Sequence, residues 1–377
     1  MTEIEIGLGK SAKQSYRLDD IVVVPSRRTR DPDDIDTSWQ IDAYLFDIPV
    51  LGAFADSITS PSTAIQMGEL GGLGVLDLEG LWTRYKDLEP IMSKTAEMPA
   101  EEARKYLQKL YSQPVRPELV ISRISEIAAA GIYAAGRVGP SRATELIPYA
   151  IEAEIDLIVI AGTVVSAEHI SSSQESLNLK TFIRSLQIPV IVGGCTSYQA
   201  ALHLMRTGAA GVLVGIGSDD ASTNSQVLGI ESHLATAIAD ARAARMRHLD
   251  ETGVYCHIIA DGAIGTAGDI AKAIACGADA VMLELPLASA LDSPCPTRHW
   301  NFTASHKKLP RGHVLEVTAQ STLSEIINGP ARSADGTTNL LGGLRTSMAK
   351  CGYTDIKDFQ RANVAVLPTS SNFRDDQ

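Results

Sequence analysis

The 377-residue chain carries 33 Lys and Arg against 45 Asp and Glu, a formal net charge of −12 that argues against a nucleic-acid partner. Its 45% apolar and 21% charged residues are ordinary globular usage, which excludes disordered and fibrous classes and allows a sizeable core. No stretch reaches the roughly 18 apolar residues of a membrane span, and the acidic start Met1-Thr-Glu-Ile-Glu-Ile6 lacks the basic region of a secretory signal, so a cytoplasmic protein without membrane partners is expected.

Aromatic residues are only 5%, so the core must be built from Ala, Val, Ile and Leu, a mixture that with 30 glycines suits helices packed on a parallel sheet. In chain order, short β-branched runs recur at 48–53, 72–76, 131–138, 155–160, 189–193, 211–215, 257–261 and 280–285, each followed by a helical spacing of apolar residues. Runs such as Ile155-Asp-Leu-Ile-Val-Ile160 and Ile188-Pro-Val-Ile-Val192 read as strands buried on both faces. Eight such units predict one domain, residues 1–377, folded as an α/β (β/α)8 TIM barrel. Ser197 and Asp269 mark helix starts, and Gly208 and Gly277 mark helix stops. Two stretches break the rhythm. Residues 77–117, helical around 100–111, insert between strands two and three, and residues 292–314, with His299, Trp300 and His306, have no period and are expected to cover the mouth as a flap.

Barrel chemistry belongs at the C-terminal ends of the strands, with phosphate sites commonly in the last loops. The loop after strand six is Gly215-Ile-Gly217-Ser-Asp219-Asp220-Ala-Ser222-Thr223-Asn224-Ser225; those after strands seven and eight begin Asp261-Gly262-Ala263 and Glu284-Leu285-Pro286. Plainer roles stand beside functional ones. Gly215 and Gly217 could close a turn, Asp261 could cap backbone N–H groups, and Asp219, Asp220 and Glu284 could be solvated acids or a cation or amine site. The flap residues could form a lid or an exposed interaction surface. Cysteines 195, 256, 276, 295 and 351 are odd in number and scattered, which suits reduced thiols; Cys195 and Cys276 read as small core residues, and no metal-ligand spacing occurs.

The segments Leu18-Asp-Asp-Ile-Val-Val-Val-Pro25-Ser26, Gly71-Gly-Leu-Gly74, Gly215-Ile-Gly217, Ile259-Ala-Asp261-Gly262, Gly268-Asp-Ile270, Gly277-Ala-Asp279-Ala-Val-Met282 and Gly343-Leu-Arg345-Thr-Ser-Met348 resemble, in order, the IMP dehydrogenase/GMP reductase family. Length, residues 25–31 and Val165-Ser-Ala-Glu-His169 look most like actinobacterial paralogues without CBS domains, and residues 77–117 stand where full-length relatives carry those regulatory domains. The resemblance implies a homotetramer with a purine ligand in the barrel mouth and NAD or NADP beside it, and leaves room for a monovalent cation on the glycine loop.

Family chemistry uses a cysteine that adds to the purine; the matching residue here is Ser222, a weaker nucleophile without a positioned base. Thr223 keeps the place of a threonine that handles protons, while Ser225 replaces an arginine. The resemblance assigns substrate contacts to Ala55, Gly215, Gly217, Asp220, Asp261, Gly262, Ala263, Glu284 and Leu285, and cofactor contacts to Ala161, Gly193 and Gly194. Several of these depart from the family pattern. Asp220 and Glu284-Leu285 replace residues that hold a 5′-phosphate, Ala55 a methionine beneath the purine, Ala161 an aspartate near the nicotinamide, and Gly194 the asparagine of a Gly-Asn pair. A carboxylate about 4 Å from a phosphate charge is repelled by roughly 4 kcal/mol at an effective dielectric of ~20. The expected function is a purine nucleotide or nucleoside oxidoreductase using NAD(P). A specialised enzyme for a purine-like substrate without phosphate, and a purine-binding or assembly protein that has lost catalysis, are the alternatives.

Overall fold

A computed structural model describes residues 3–170, 177–216, 221–306 and 308–367. Eight parallel strands close a barrel: β1 (Val50–Gly52), β2 (Leu73–Asp77), β3 (Ala135–Val138), β4 (Leu157–Ala161), β5 (Val190–Cys195), β6 (Gly211–Val214), β7 (His257–Asp261) and β8 (Ala280–Leu283). Nearly every strand residue is buried, because the barrel packs its inside with side chains and helices cover its outside.

The helices are α1 (Pro61–Glu69), α2 (Glu89–Glu97), α3 (Ala100–Leu110), α4 (Pro117–Ala129), α5 (Ala143–Glu152), α6 (Leu179–Ser185) and α7 (Tyr198–Met205). Next come α8 (Asn224–Leu228), α9 (Leu234–Thr252), α10 (Ala267–Cys276), α11 (Leu285–Ala288), α12 (Leu323–Asn328), α13 (Leu340–Lys350) and α14 (Ile356–Phe359). Ser197 caps α7, Asp269 closes a capping box with Thr266 at the start of α10, and Gly277 ends α10 at a positive φ of 125°.

Several strand ends differ from the sequence reading, and two of the differences have a clear local cause. β3 begins at Ala135 rather than 131, because Gly131 takes φ 75° and closes the turn after α4. The last strand stops at Leu283, and Leu285 opens α11, since Pro286 has no N–H to give a sheet and suits a first helical turn.

The bottom of the barrel is sealed by an antiparallel hairpin, Trp39–Ile41 with Tyr44–Phe46, whose Trp39 stacks on Phe46 and meets His257 at the start of β7 edge-on. At this same end Asp279 anchors a buried polar network. Its carboxylate accepts from Arg245 of α9 at 2.7 Å, the Tyr255 hydroxyl at 2.6 Å, the Ile258 N–H at 2.8 Å and the Gln360 amide at 2.9 Å. Removing one partner of such a pair strands a buried charge. Asp279→Ala should therefore lose about 3–5 kcal/mol of unfolding free energy in urea titration; a loss within about 1 kcal/mol would show that the network is not a structural anchor.

Candidate functional site

The chain leaving α11 forms a strap across the open end of the barrel. Its two limbs pair antiparallel, Arg298–His299 with Leu315–Glu316. Three contacts fasten it. Trp300 is fully buried among Leu81, Leu107, Leu110, Cys295 and Val314, a small core shared with the insertion helices α2 and α3 and separate from the barrel core. The Trp300 Nε1–H donates to the Tyr111 oxygen at 3.1 Å, and the Tyr111 hydroxyl in turn donates to Asp56. His299 lies between Ser57 Oγ, 3.0 Å from Nδ1, and Glu284 Oε1, 3.1 Å from Nε2. The returning limb pairs with the loop after β6: the His313 N–H donates to Ala221 at 2.9 Å, and Gly312 bridges Ser222.

His299 and Trp300 are therefore anchors inside the protein, not an exposed surface, whereas His306 is exposed. The Ser57–His299–Glu284 chain has the order of a nucleophile, base and acid. Ser57 is fully buried and lines neither of the spaces beneath the strap, so the chain works as a fastening.

Beneath the strap lie two adjoining spaces. The inner one, about 600 Å³, is walled by Phe54, Ala55, Asn224, Asp261, Glu284 and Asn301, with Gly194, Gly215, Gly262 and Met282 beneath. The outer one, about 1080 Å³ and open to solvent, lies between the strap and the insertion and is lined by Asp77, Glu79, Arg84, Tyr111, Arg137 and Arg311 among others. They share Ala161, Gly162 and Thr163 as floor and Phe302 and Thr303 as partition. Arg137, at the end of β3, braces the partition. Its guanidinium stacks 4.2 Å from the Phe302 ring centroid and 5.4 Å from that of Phe54, donates to the Ala161 carbonyl at 3.1 Å, and pairs with Asp77 and Glu79 at 3.3 Å.

Gly215, Asp261, Gly262 and Glu284 from the loop reading, and Ala55, Ala161 and Gly194 from the family resemblance, line the inner cavity, so the expected substrate contacts share it with two of the expected cofactor contacts. Gly193 lies in β5 below its floor, and Leu285 and Ala263 lie outside its wall. Ser222 and Thr223 also lie outside the wall: Ser222 bridges the strap, and its Oγ accepts from the Asn224 N–H at 3.3 Å. Gly217, Asp219 and Asp220 lie outside the described residues. Gly215 is required by shape, since at φ 147° a Cβ would come within 1.5 Å of the Asp261 carbonyl oxygen. All five cysteines are free and buried; burial pushes the Cys195 thiol up to about 12, the opposite of an activated nucleophile.

Residues 15–377 match the family model described as IMP dehydrogenase/GMP reductase domain. The chain belongs to the IMP dehydrogenase/GMP reductase family. It is 49% identical over 372 residues to an uncharacterized oxidoreductase of Mycolicibacterium smegmatis, covering 96% of this chain and 99% of that one. It is 25% identical over 490 residues to the inosine-5′-monophosphate dehydrogenase of Methanocaldococcus jannaschii, covering 96% and 94%. The crystal structure of an IMP dehydrogenase/GMP reductase-like protein from Corynebacterium glutamicum superposes with a TM-score of 0.92 at 48% identity, covering 97% of this chain and 98% of that one.

In this member of the IMP dehydrogenase/GMP reductase family the motifs do not point to Phe54, Asn224, Asn301, Phe302, Arg137 or Asp56. Arg137 did leave a signal, a lone cation in the apolar run Ala134-Ala-Gly-Arg-Val138. Asp56 is fully buried, receives the Leu81 N–H at 2.8 Å, and has its pKa pushed up to about 7, chiefly by burial and then by the nearby Asp77 charge. A carboxyl that is harder to ionise when folded loses stability as pH rises from its ordinary 3.8 towards 7, by at most about 1.4 kcal/mol per pH unit. Asp56→Asn should flatten the urea-derived stability curve over that window relative to the parent; parallel curves would exclude Asp56 as the titrating group.

Proposed function

We propose that this family member is a nicotinamide-linked oxidoreductase acting on a purine-like substrate without a phosphate, of the nucleoside class. The observation that carries this reading is the polarity of the inner cavity. Its described wall holds the carboxylates of Asp261 and Glu284 and no Lys, Arg or His. Asn224 adds an acceptor, because its Oδ1 is buried without a hydrogen-bond partner among the described residues. Such a wall receives donors, the hydroxyls of a sugar and the N–H groups of a base, and repels a phosphate. Phe54 and Phe302 offer apolar faces for a flat ring, and the Asn301 amide can orient its edge.

The small residues Ala161, Gly162 and Gly194 leave a floor shallow enough for a second flat ring, and the neighbouring space contains guanidinium groups, so the residues fit a nicotinamide dinucleotide. Bound there, that cofactor supplies a hydride donor or acceptor. Asp261 and Glu284 would fix the sugar, and the strap would exclude water. Ser222 has no base bonded to its hydroxyl among the described residues, so a covalent enzyme adduct is no part of the proposal.

A second reading, a purine-binding protein without catalysis, is favoured by Phe302, which stands in the partition where two reacting ligands would have to meet. Melting curves with inosine, guanosine, IMP and GMP, followed by NAD(P)H absorbance with the ligand that binds, separate these readings. At a concentration roughly a hundredfold above Kd, a nucleoside should raise the melting temperature by about 3 °C and the monophosphates should raise it less. Stabilisation by IMP or GMP above their nucleosides would overturn the phosphate-free reading. Binding without turnover would select the non-catalytic one, and no shift with any purine would sink both.

A further inference from the structure

Glu284 stands one residue past β8, and its backbone is fixed there. The Leu283 carbonyl accepts from the Ala53 N–H at 3.0 Å, and the Glu284 carbonyl accepts from the Ala288 N–H at 3.0 Å across the single turn of α11. Asp261 lies in register with Met282, and Glu284 follows Met282 by two residues, so both carboxylates line the same side of the inner cavity. The Glu284 side chain is long, however, and a fixed backbone alone does not settle where its head points. Its Oε1 lies 3.1 Å from His299 Nε2, with the two side chains 11% and 1% exposed. A carboxylate offers only acceptors, so the ring meets it with a proton on Nε2. Nδ1 faces Ser57 Oγ at 3.0 Å, and because a hydroxyl can give or take, that bond serves the neutral ring and the charged one alike. Ser57 sits in a tight turn, where the Ile58 and Thr59 N–H groups both donate to the Ala55 carbonyl at 2.8 Å. The ring plane is thereby referenced to the end of β1, with one N–H aimed at Glu284.

We infer that His299 is the positioning residue for Glu284: its Nε2–H holds the carboxylate in the inner wall, so that the strap completes the surface that takes a neutral sugar and refuses a phosphate ester. A buried carboxylate needs a donor facing it, and His299 brings that donor from the strap rather than from the barrel. Because His299 precedes Trp300, whose indole is seated in the small core of the insertion, the N–H reaches Glu284 with the strap down and leaves it when the strap lifts. Selection is therefore tied to closure. A raised strap leaves a long acidic side chain free to regain its rotamers, and a lowered one gathers it beside Asp261. The inference rests on the proposed function for the choice of ligand; the contact between the two side chains does not depend on it.

The test compares the affinities of inosine and IMP for the full chain by calorimetric titration in the parent, Glu284→Gln, His299→Asn, His299→Gln and the double variant Glu284→Gln with His299→Asn. Asparagine sets its amide where Nδ1 stood and keeps the Ser57 bond, whereas glutamine sets its amide where Nε2 stood and keeps the donor to Glu284. The parent should prefer inosine, and Glu284→Gln should shrink that preference by about tenfold. His299→Asn should shrink it nearly as far, and His299→Gln should hold it close to the parent's. The double variant should match Glu284→Gln alone, because a residue that acts through another adds nothing once the other is gone. An unchanged ratio in Glu284→Gln or in His299→Asn, equal losses of both ligands in the two His299 variants, or additive effects in the double variant would overturn the inference. Unliganded melting temperatures establish that each variant is folded. NMR of the histidine ring nitrogens in the unliganded chain reads the contact without any purine: the signal that the His299 variants remove should report a proton on Nε2, and a ring protonated on Nδ1 alone overturns the inference whatever the ligands do. A parent that favours IMP or binds neither purine, with the proton found on Nε2, defeats the functional proposal and the selection drawn from it while leaving the positioning contact in place.

Discussion

The seating of Trp300 in the apolar slot between α2 and α3 is the contact on which the upper half of the molecule depends. An indole buries a large apolar surface and keeps one polar atom that needs an acceptor, so it fixes both depth and orientation. Here the acceptor is the Tyr111 oxygen, and Tyr111 is tied to Asp56 just past the end of β1. The ring thereby joins strap, insertion and barrel at one point. The insertion is a scaffold for the strap: without the small core of Leu81, Leu88, Met92, Leu107 and Leu110, the strap would have nothing to pack against on that side.

From this fastening follow the positions of the groups that face the two spaces. His299 precedes Trp300 and meets Glu284; Phe302 follows and lands on Arg137; Arg311 and His313 return along the loop after β6. One arch of about fifteen residues (299–313) thus supplies an anchor, a partition and a cation in register. Charge is sorted along with shape. The described inner wall holds the carboxylates at the ends of β7 and β8 without Lys, Arg or His, whereas the outer cleft, beyond the Phe302 ring, sets three guanidiniums against two carboxylates.

The barrel was legible in the sequence because a strand buried on both faces must be a continuous apolar run, and those runs recur between helices with ordinary caps. The misplaced end at Leu285 shows the limit of that rule: Leu283-Glu-Leu-Pro-Leu287 alternates like a strand, and only Pro286 marks the change to helix. That residues at strand ends would face the mouth cavity was legible for the same reason, because a strand's end fixes where its next residue points. Ser222 and Thr223 were not, since their direction is set by pairing with a limb some 90 residues away. Phe302 and Asn301 sit on an aperiodic segment, and nothing local announces which of its side chains turn inward. Arg137 was a missed opportunity, because a charged side chain in a buried strand must reach polar partners, and near the C-terminal end of its strand those lie in the barrel mouth.

The strap's three fastenings have a kinetic meaning. They draw on separate parts of the chain, and releasing one leaves the other two holding the arch in place. Opening is therefore a concerted event whose barrier reflects several contacts together, closer to the local unfolding of a small cooperative unit than to the swing of a hinged lid. With the far end of the barrel stoppered by Trp39 and its hairpin, a ligand in the inner cavity would enter and leave on the strap side. A ligand held beneath the arch would then leave faster where substitutions in α2 or α3, remote from any ligand, loosen the strap, while its contacts in the cavity stay intact.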